Sequence, residues 1–211
     1  YMAQEHTEWR TGELIRRSEG ITRLLDKYNI DPDAVTDYHI YPVADNDSPR
    51  LSADRLEYTL GNLAAYTGRT AAELQAYYDD LCVAVNEHGE TELSFTGADM
   101  AYRFAHDALE MSRIYVSDED RYAMQMLSEL LGQAIKKGVL SAEELYLKEE
   151  TVIEKLMSDA ETAKLWRGYC ALHEIVTDRE AFPDGAWRVI GAKKRRIDPF
   201  VRGAGRLSEI N

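Results

Sequence analysis

The sequence predicts a mainly α-helical protein with one small β-hairpin near residues 82–96. Apolar side chains recur at helical spacing along most of the chain, most regularly over residues 118–138. Residues 70–73 and 141–144 each place Glu three positions after Ser or Thr, the capping-box pattern that starts helices. Within residues 82–96, two short apolar runs flank a polar stretch containing Gly89, which is typical of a hairpin.

Helices account for most of the predicted elements. In chain order, the apolar spacing predicts helices over residues 5–18, 21–28, 33–40, 52–66, 70–81, 98–112, 118–138, 141–157 and 159–177. Leu56, Leu60 and Leu63 form a core-facing stripe on the fourth of them. We therefore expect a helical domain over residues 1–178, followed by a loop-rich basic tail over residues 179–211.

The charge of the chain argues against one broad class of partner. The sequence has 25 Lys and Arg against 38 Asp and Glu, so its formal net charge is −13. Proteins that bind nucleic-acid polymers usually present a basic surface. The composition therefore disfavours a nucleic-acid polymer, whereas a small nucleotide needs only a few local cations or a metal.

Cysteine content and hydropathy predict a cytoplasmic protein. Cys82 and Cys170 lie far apart without a CxxC pattern, so we expect reduced thiols. No apolar run is long enough to span a bilayer, and the first residues lack the features of a signal peptide. Because Tyr1 precedes the first Met and helix-like sequence follows almost at once, we expect the chain to be a piece of something longer.

The start of the fourth predicted helix is the main candidate site. Ser52 is a good N-cap, and Asp54 lies in the first turn, where a carboxylate suits the helix dipole. Tyr58 follows four residues after Asp54 and shares its face, with Arg55 beside them. An acid, a cation and a phenol on one turn could hold a metal and a phosphate ester. The same residues also fit an ordinary solvated turn.

Histidines provide two further candidates. His6 could bind a metal, shuttle a proton or meet a phosphate, or it could be solvated near the chain end. His106 and Asp107 form an adjacent pair inside an amphipathic helix, where neighbouring side chains point about 100° apart. We expect Asp107 at the surface and His106 half buried.

The candidate motif resembles a known family. Residues 52–58, Ser-Ala-Asp-Arg-Leu-Glu-Tyr, resemble the last motif of HD-domain phosphohydrolases. Residues 4–8, Gln-Glu-His-Thr-Glu, resemble the His-containing segment of the deoxynucleotide triphosphohydrolase branch. Residues 113–115, 124–138 and 140–145 resemble the helices that follow its catalytic core. The resemblance implies an HD-domain-like helical bundle and a metal-dependent phosphohydrolase acting on a nucleotide or similar small phosphate ester.

The resemblance also implies a role for each candidate residue. Asp54 takes the place of the late Asp ligand of a divalent metal, which in this family would be Mn, Mg, Fe, Ni or Zn. Arg55 would contact a substrate phosphate, and Tyr58 would line the nucleotide or sugar pocket. His6 would be the catalytic His near the scissile phosphate. Metal-activated water would attack phosphorus.

One feature of the family is missing from this sequence. Its first His and its His-Asp pair should precede His6, but only five residues do so. His106 and Asp107 follow Asp54 and therefore stand in the wrong order. The missing ligands would lie upstream of Tyr1, on another chain, or nowhere. The alternative to an enzyme is therefore a non-catalytic helical module that binds a nucleotide or a partner subunit through a degenerate HD pocket. The implied partners are a small phosphorylated substrate, a second copy of the chain, or the missing N-terminal segment.

Overall fold

A computed structural model of the protein describes residues 10–37, 40–178, 180, 191–192 and 194–210. The described chain is mainly helical with a small β-sheet, as the sequence predicts. It divides into two compact units. The hairpin unit contains residues 10–37, 40–114 and 194–210, and the helical unit contains residues 115–178, 180 and 191–192.

Capping interactions define the helices of the hairpin unit. Ser52 accepts a hydrogen bond from the Arg55 N–H at 3.2 Å at one helix start, and the predicted Thr70–Glu73 capping box is present at the next. Gly68 ends the first of these two helices with φ 68°, a left-handed conformation that favours glycine. The helices are α1 (Thr11–Arg17), α2 (Glu19–Lys27), α3 (Asp33–Thr36), α4 (Ala53–Thr67), α5 (Ala71–Asp79) and α6 (Ala98–Tyr115).

The first three helices differ from the prediction in their bounds, and α2 starts two residues earlier than expected. Ser18 is extended and caps α2, which separates α2 from α1. The helix expected over residues 33–40 ends at Thr36 as a single turn, and residues 38–39 lie outside the described residues. Residues 5–9 of the first predicted helix also lie outside them.

The sheet belongs to the hairpin unit. β1 (Leu81–Val85) and β2 (Thr91–Phe95) pair antiparallel, which confirms the predicted hairpin. β2 also pairs in parallel with β3 (Phe200–Val201), and β3 pairs antiparallel with β4 (Gly205–Arg206). Residues 200–206, predicted to be loop, therefore add two short strands. Strands of two residues are too short to produce a recognisable alternation of apolar and polar residues.

An aromatic cluster lies at the centre of the hairpin unit. The Phe104 ring packs at centroid distances of 5.5 Å from Tyr77 and 5.3 Å from Phe95. Leu56 and Leu63 of the predicted stripe are buried. The buried residues that form one core around these rings are Leu51, Leu56, Tyr77, Phe95, Ala101, Phe104 and Val201.

A buried ion pair holds the C-terminal segment in the hairpin unit. The Arg206 guanidinium donates to Glu92 at 2.7 and 2.9 Å and to Glu87 at 2.7 to 3.1 Å. The side chains of Arg206 and Glu92 are 7% and 1% exposed. Glu92 also accepts from the Leu51 N–H at 3.2 Å and from the Asn86 side chain at 3.0 Å. The pair therefore joins three segments that are distant in sequence.

The pKa of Arg206 reflects this environment. Burial acts to lower it, but the hydrogen bonds to Glu92 and Glu87 outweigh burial, so the pKa lies above its ordinary value. The hydrogen bonds therefore favour the charged guanidinium despite its burial. Its two carboxylate partners supply the compensation that a buried cation requires.

The helical unit is built from α7 (Asp118–Lys136), α8 (Glu149–Ser158) and α9 (Ala160–Cys170). Gly138 has φ 73° just after α7, and its N–H donates to the Ile135 carbonyl at 3.0 Å, so the predicted C-terminal cap is present. Met124 was predicted to face inward but is exposed. The core of this unit consists of Leu130, Ala134, Leu140 and Leu156, with partly buried apolar neighbours.

Two predicted helices in this unit are shorter in the structure. The helix expected over residues 141–157 is a 3-10 turn, Glu143–Tyr146, followed by α8. Ser141 and Glu144 make both capping-box hydrogen bonds but start only that turn. The helix expected over residues 159–177 ends at Cys170. Residues 175–177 are Ile, Val and Thr, whose branched side chains lower helix propensity.

Helix length and composition bear on membrane insertion. α6 and α7 span 18 and 19 residues, and both contain several charged side chains. Across the described ranges, no helix combines the length and the apolar character needed to cross a membrane.

Hydrogen bonds at the start of α9 lower the pKa of the Asp159 carboxyl group. Its carboxylate accepts from Lys137 Nζ at 2.8 Å and from the Thr162 N–H at 3.0 Å, and these hydrogen bonds lower its pKa to about 2. A carboxyl group whose pKa is lowered by folding stabilises the protein above its unfolded pKa. That stabilisation is lost as the pH falls through about 2.

Replacing Lys137 with Met is expected to raise the pKa of Asp159. The value should stay below the ordinary range, because the backbone donors at the start of α9 remain. The pH titration of the Asp159 carboxyl carbon, followed by NMR, measures this change. Lys136→Met removes the same charge from an exposed neighbouring residue and should leave the pKa of Asp159 unchanged. An unchanged titration in Lys137→Met would show that the backbone donors alone lower the pKa.

Candidate functional site

The predicted motif lies at the N-terminus of α4. Leu51 and Ser52 are fully buried, while Asp54 is exposed in the first helical turn. Tyr58 lies one turn further along and is half buried. The structure thus places Asp54, Arg55 and Tyr58 on adjoining positions of one helix, as predicted. His6, the predicted catalytic residue, lies outside the described residues.

The preceding turn fixes the direction in which α4 starts. The Ala53 N–H donates to the Val43 carbonyl at 2.8 Å, and the Asp54 N–H donates to the Ala44 carbonyl at 3.1 Å. These bonds satisfy two of the N–H groups that a helix start leaves unpaired. They hold the backbone of Asp54 in place while its carboxylate faces solvent.

Arg55 organises this turn. Its Nη1 donates to the Asn46 side chain at 2.7 Å, to the Arg50 carbonyl at 3.2 Å and to Ser52 Oγ at 3.3 Å. Its Nη2 donates to the Asn46 carbonyl, and Asp45 completes an ion pair at 3.6 Å. The guanidinium predicted to contact a substrate phosphate is therefore engaged by neighbouring acceptors of the protein.

The described residues alone do not fit a metal centre. Among them, no group of three or more His, Cys, Asp or Glu side chains is arranged to hold a metal ion. A metal site needs several ligands, each oriented by further hydrogen bonds. Asp54 fits such a site only as one ligand among others from outside the described residues.

A second cluster of functional side chains lies in the hairpin unit. A surface pocket of about 300 Å³ is lined by polar and aromatic residues of α5, α6 and the segment before α5. The lining residues are Arg69, Tyr77, Tyr102, Arg103, His106 and Asp107. We call this feature the Arg69–Arg103 pocket.

Asp107 lies at the buried side of this pocket. Its carboxylate accepts from Arg69 Nη2 at 2.7 Å and from the Tyr77 hydroxyl at 2.7 Å. The hydrogen bond to Asp107 is the main cause that raises the pKa of Arg69. Burial, and next the hydrogen bond to Asp107, raise the pKa of Tyr77 to about 12. Asp107 thus holds both Arg69 and Tyr77 in fixed positions.

The burial of His106 and Asp107 is the reverse of the prediction. The His106 side chain is 59% exposed, whereas that of Asp107 is 4% exposed. Phe104, Ala108 and Met111 are buried on the core-facing side of α6. Asp107 lies at helical spacing to them and therefore on the same side. That spacing contains the signal for its burial. The charge of Asp107 is tolerated there because Arg69 and Tyr77 satisfy it.

Comparison with known proteins adds no functional assignment. No protein-family model, curated protein or solved structure matches this chain.

Proposed function

We propose that this chain forms part of an HD-type, metal-dependent phosphohydrolase that acts on a nucleotide or a similar small phosphate ester. The observation that supports the proposal most directly is the start of α4. There a buried Ser52 cap presents the exposed Asp54 carboxylate, with Tyr58 one turn away. This is the arrangement expected if residues 52–58 form the last motif of such a site.

Each residue of the α4 start has a part in the proposal. Asp54 contributes one oxygen ligand, and its backbone is held by the Ala44 carbonyl. Tyr58 borders the space next to it. Arg55 orders the turn before α4 through Asn46, so it would have to leave that acceptor to reach a substrate phosphate. A complete metal site further requires ligands from outside the described residues, and His6 would join from the N-terminal segment.

Replacing Asp54 with Ala is the direct test. We expect the rate at which the full-length protein hydrolyses phosphate esters with Mn²⁺ or Mg²⁺ to fall by at least about 100-fold, because losing a metal ligand costs more than losing a residue that only orients one. Release of phosphate from a panel of nucleotides and simple phosphate esters measures this rate.

Glu57→Ala is the matched control for the Asp54 variant. Glu57 is an exposed acid on the same helix, so its loss removes the same charge without touching the proposed ligand. Its rate should match that of the wild-type protein. If Asp54→Ala also keeps the wild-type rate, Asp54 is not a metal ligand.

The engagement of Arg55 favours a second candidate function. A cation that is already bound by Asn46 and Asp45 suits a structural role better than phosphate contact. The alternative is a non-catalytic helical module that binds a nucleotide or a partner subunit. Stoichiometric metal in the purified protein, measured by elemental analysis, would rule out this alternative. Tight nucleotide binding to the metal-free protein would favour it over the enzyme.

A further inference from the structure

The Arg69–Arg103 pocket gathers positive charge on an acidic protein. The chain has a formal net charge of −13, yet two guanidinium groups line this one pocket. Arg103 and His106 are exposed at its mouth, three residues apart on α6, so their side chains lie on neighbouring positions of one face. Arg69 is already paired with Asp107 and Glu73, so Arg103 supplies the positive charge that a ligand would meet at the mouth.

The carboxylates beside the pocket pair with Arg69. Both carboxylate oxygens of Asp107 are engaged, one by Arg69 and the other by Tyr77. The nearby Glu73 accepts from Arg69 at 3.3 Å and uses its other oxygen for Thr70. Arg103 and the imidazole of His106, whose Nδ1 lies 3.9 Å from Asp107, are therefore the exposed groups at the mouth that can meet a ligand.

Arg69 is held in position before any ligand binds. Arg69 is held by the buried Asp107, which is itself anchored to α6 of the core. A guanidinium that is oriented before binding loses little freedom when a ligand arrives. Guanidinium groups match the oxygen geometry of phosphate, and an imidazole can add a further donor. The exposed ring of Tyr102 forms an apolar side wall.

We propose that the Arg69–Arg103 pocket binds the phosphate group of a small phosphorylated molecule or free phosphate. Arg103 and His106 contact the anion at the mouth, and Arg69 faces it from the interior. Asp107 is a positioning residue that orients Arg69. None of these residues belongs to the α4 motif, so this binding site is independent of the proposed hydrolytic site.

Calorimetric titration of the full 211-residue chain with inorganic phosphate and with glycerol phosphate tests this proposal. Ionic strength is held constant with sodium chloride, so that general screening does not change. We expect saturable binding of at least one of the two probes. Phosphate-specific shifts of the His106 ring protons in NMR spectra should accompany it. Preference for glycerol phosphate identifies a phosphomonoester site, and equal or stronger binding of inorganic phosphate identifies a free-phosphate site.

Arg103→Gln should weaken phosphate binding by about tenfold or more, because it removes a charge-assisted contact. His106→Gln should weaken it by a smaller factor. Both residues are exposed, so the thermal midpoint should change little, and this measurement verifies folding. Arg113→Gln removes the same charge from α6 ten residues away, about 15 Å along the helix axis, and should bind like the wild type.

Two results would overturn the proposal. One is that neither inorganic phosphate nor glycerol phosphate binds beyond the effect of chloride at equal ionic strength. The other is an equal loss of binding in Arg103→Gln and Arg113→Gln, which would indicate a response to net charge rather than to this pocket.

Discussion

Replacing Arg206 with Ala is expected to lower the free energy of unfolding by about 3–5 kcal/mol, the usual cost of removing one partner of a buried ion pair. Glu92 is almost fully buried, and Arg206 supplies two of its hydrogen bonds, at 2.7 and 2.9 Å. Without the guanidinium, a carboxylate remains in the interior with only the Leu51 N–H and the Asn86 amide as donors. The variant also loses the contact between the C-terminal segment and the Glu87 turn.

Urea denaturation of wild-type and variant protein measures this change. Arg202→Ala is the matched control, since Arg202 lies four residues earlier in the same segment but is exposed. Its effect should stay within about 0.5 kcal/mol, as for most surface substitutions. Equal effects of the two substitutions would mean that the ion pair contributes no more than a surface charge.

Replacing Asp107 with Ala is expected to cost about 2–3 kcal/mol of stability, because a buried hydroxyl loses its acceptor and a charge-assisted hydrogen bond is removed. The Tyr77 hydroxyl, on a buried side chain, would then lose its Asp107 acceptor. The lost hydrogen bond to Arg69 contributes less to this loss of stability. The Arg69 side chain is partly exposed, so water can replace Asp107 as its partner.

The same variant should also change the titration of Tyr77. In the wild type, the pKa of Tyr77 is raised to about 12. The neutral phenol therefore stabilises the folded protein fully below the ordinary pKa of 10.0, and this stabilisation is lost as the pH rises through about 12. Without Asp107 the pKa should fall, although burial keeps it above the ordinary value.

Absorbance at alkaline pH follows this phenol, and Tyr77→Phe identifies its contribution. Glu110→Ala, an exposed acid on α6, is the control and should leave stability and titration near wild type. A Tyr77 titration that does not change in Asp107→Ala would contradict the role given to Asp107.

Local signals in the sequence predicted much of the fold. Ser52, Thr70 and Gly138 act where the capping rules place them, and the hairpin of β1 and β2 follows from two apolar runs around a turn. These features depend on residues within a few positions of each other. The sequence indicates these caps and this hairpin because their physical cause is local.

Features that depend on distant contacts were not predictable. β3 and β4 form because Phe200 and Val201 pair with β2, a partner about 106 residues earlier in the chain. The same limitation explains Asp107, whose burial depends on Arg69 and Tyr77 from another helix region.

The start of α4 has one feature that the sequence predicts and one that it does not. The exposure of Asp54 in a capped first turn was predictable, because a helix start has local rules. The engagement of Arg55 by Asn46 was not, because it depends on the shape of the preceding turn. The Arg69–Arg103 pocket combines residues up to 38 positions apart, so no single motif indicates it.

The Arg206 anchor has a consequence for the order in which the protein acquires its structure during synthesis. The described residues of the helical unit all lie within residues 115–192, so we expect it to fold as soon as these emerge from the ribosome. The hairpin unit instead waits for residues that lie 114 and 119 positions beyond Glu92 and Glu87. Until then, Glu92 has no cationic partner and the place of Val201 in the core is empty. Long-range contacts of this kind form more slowly than local ones, so we expect the hairpin unit to complete its structure after the helical unit.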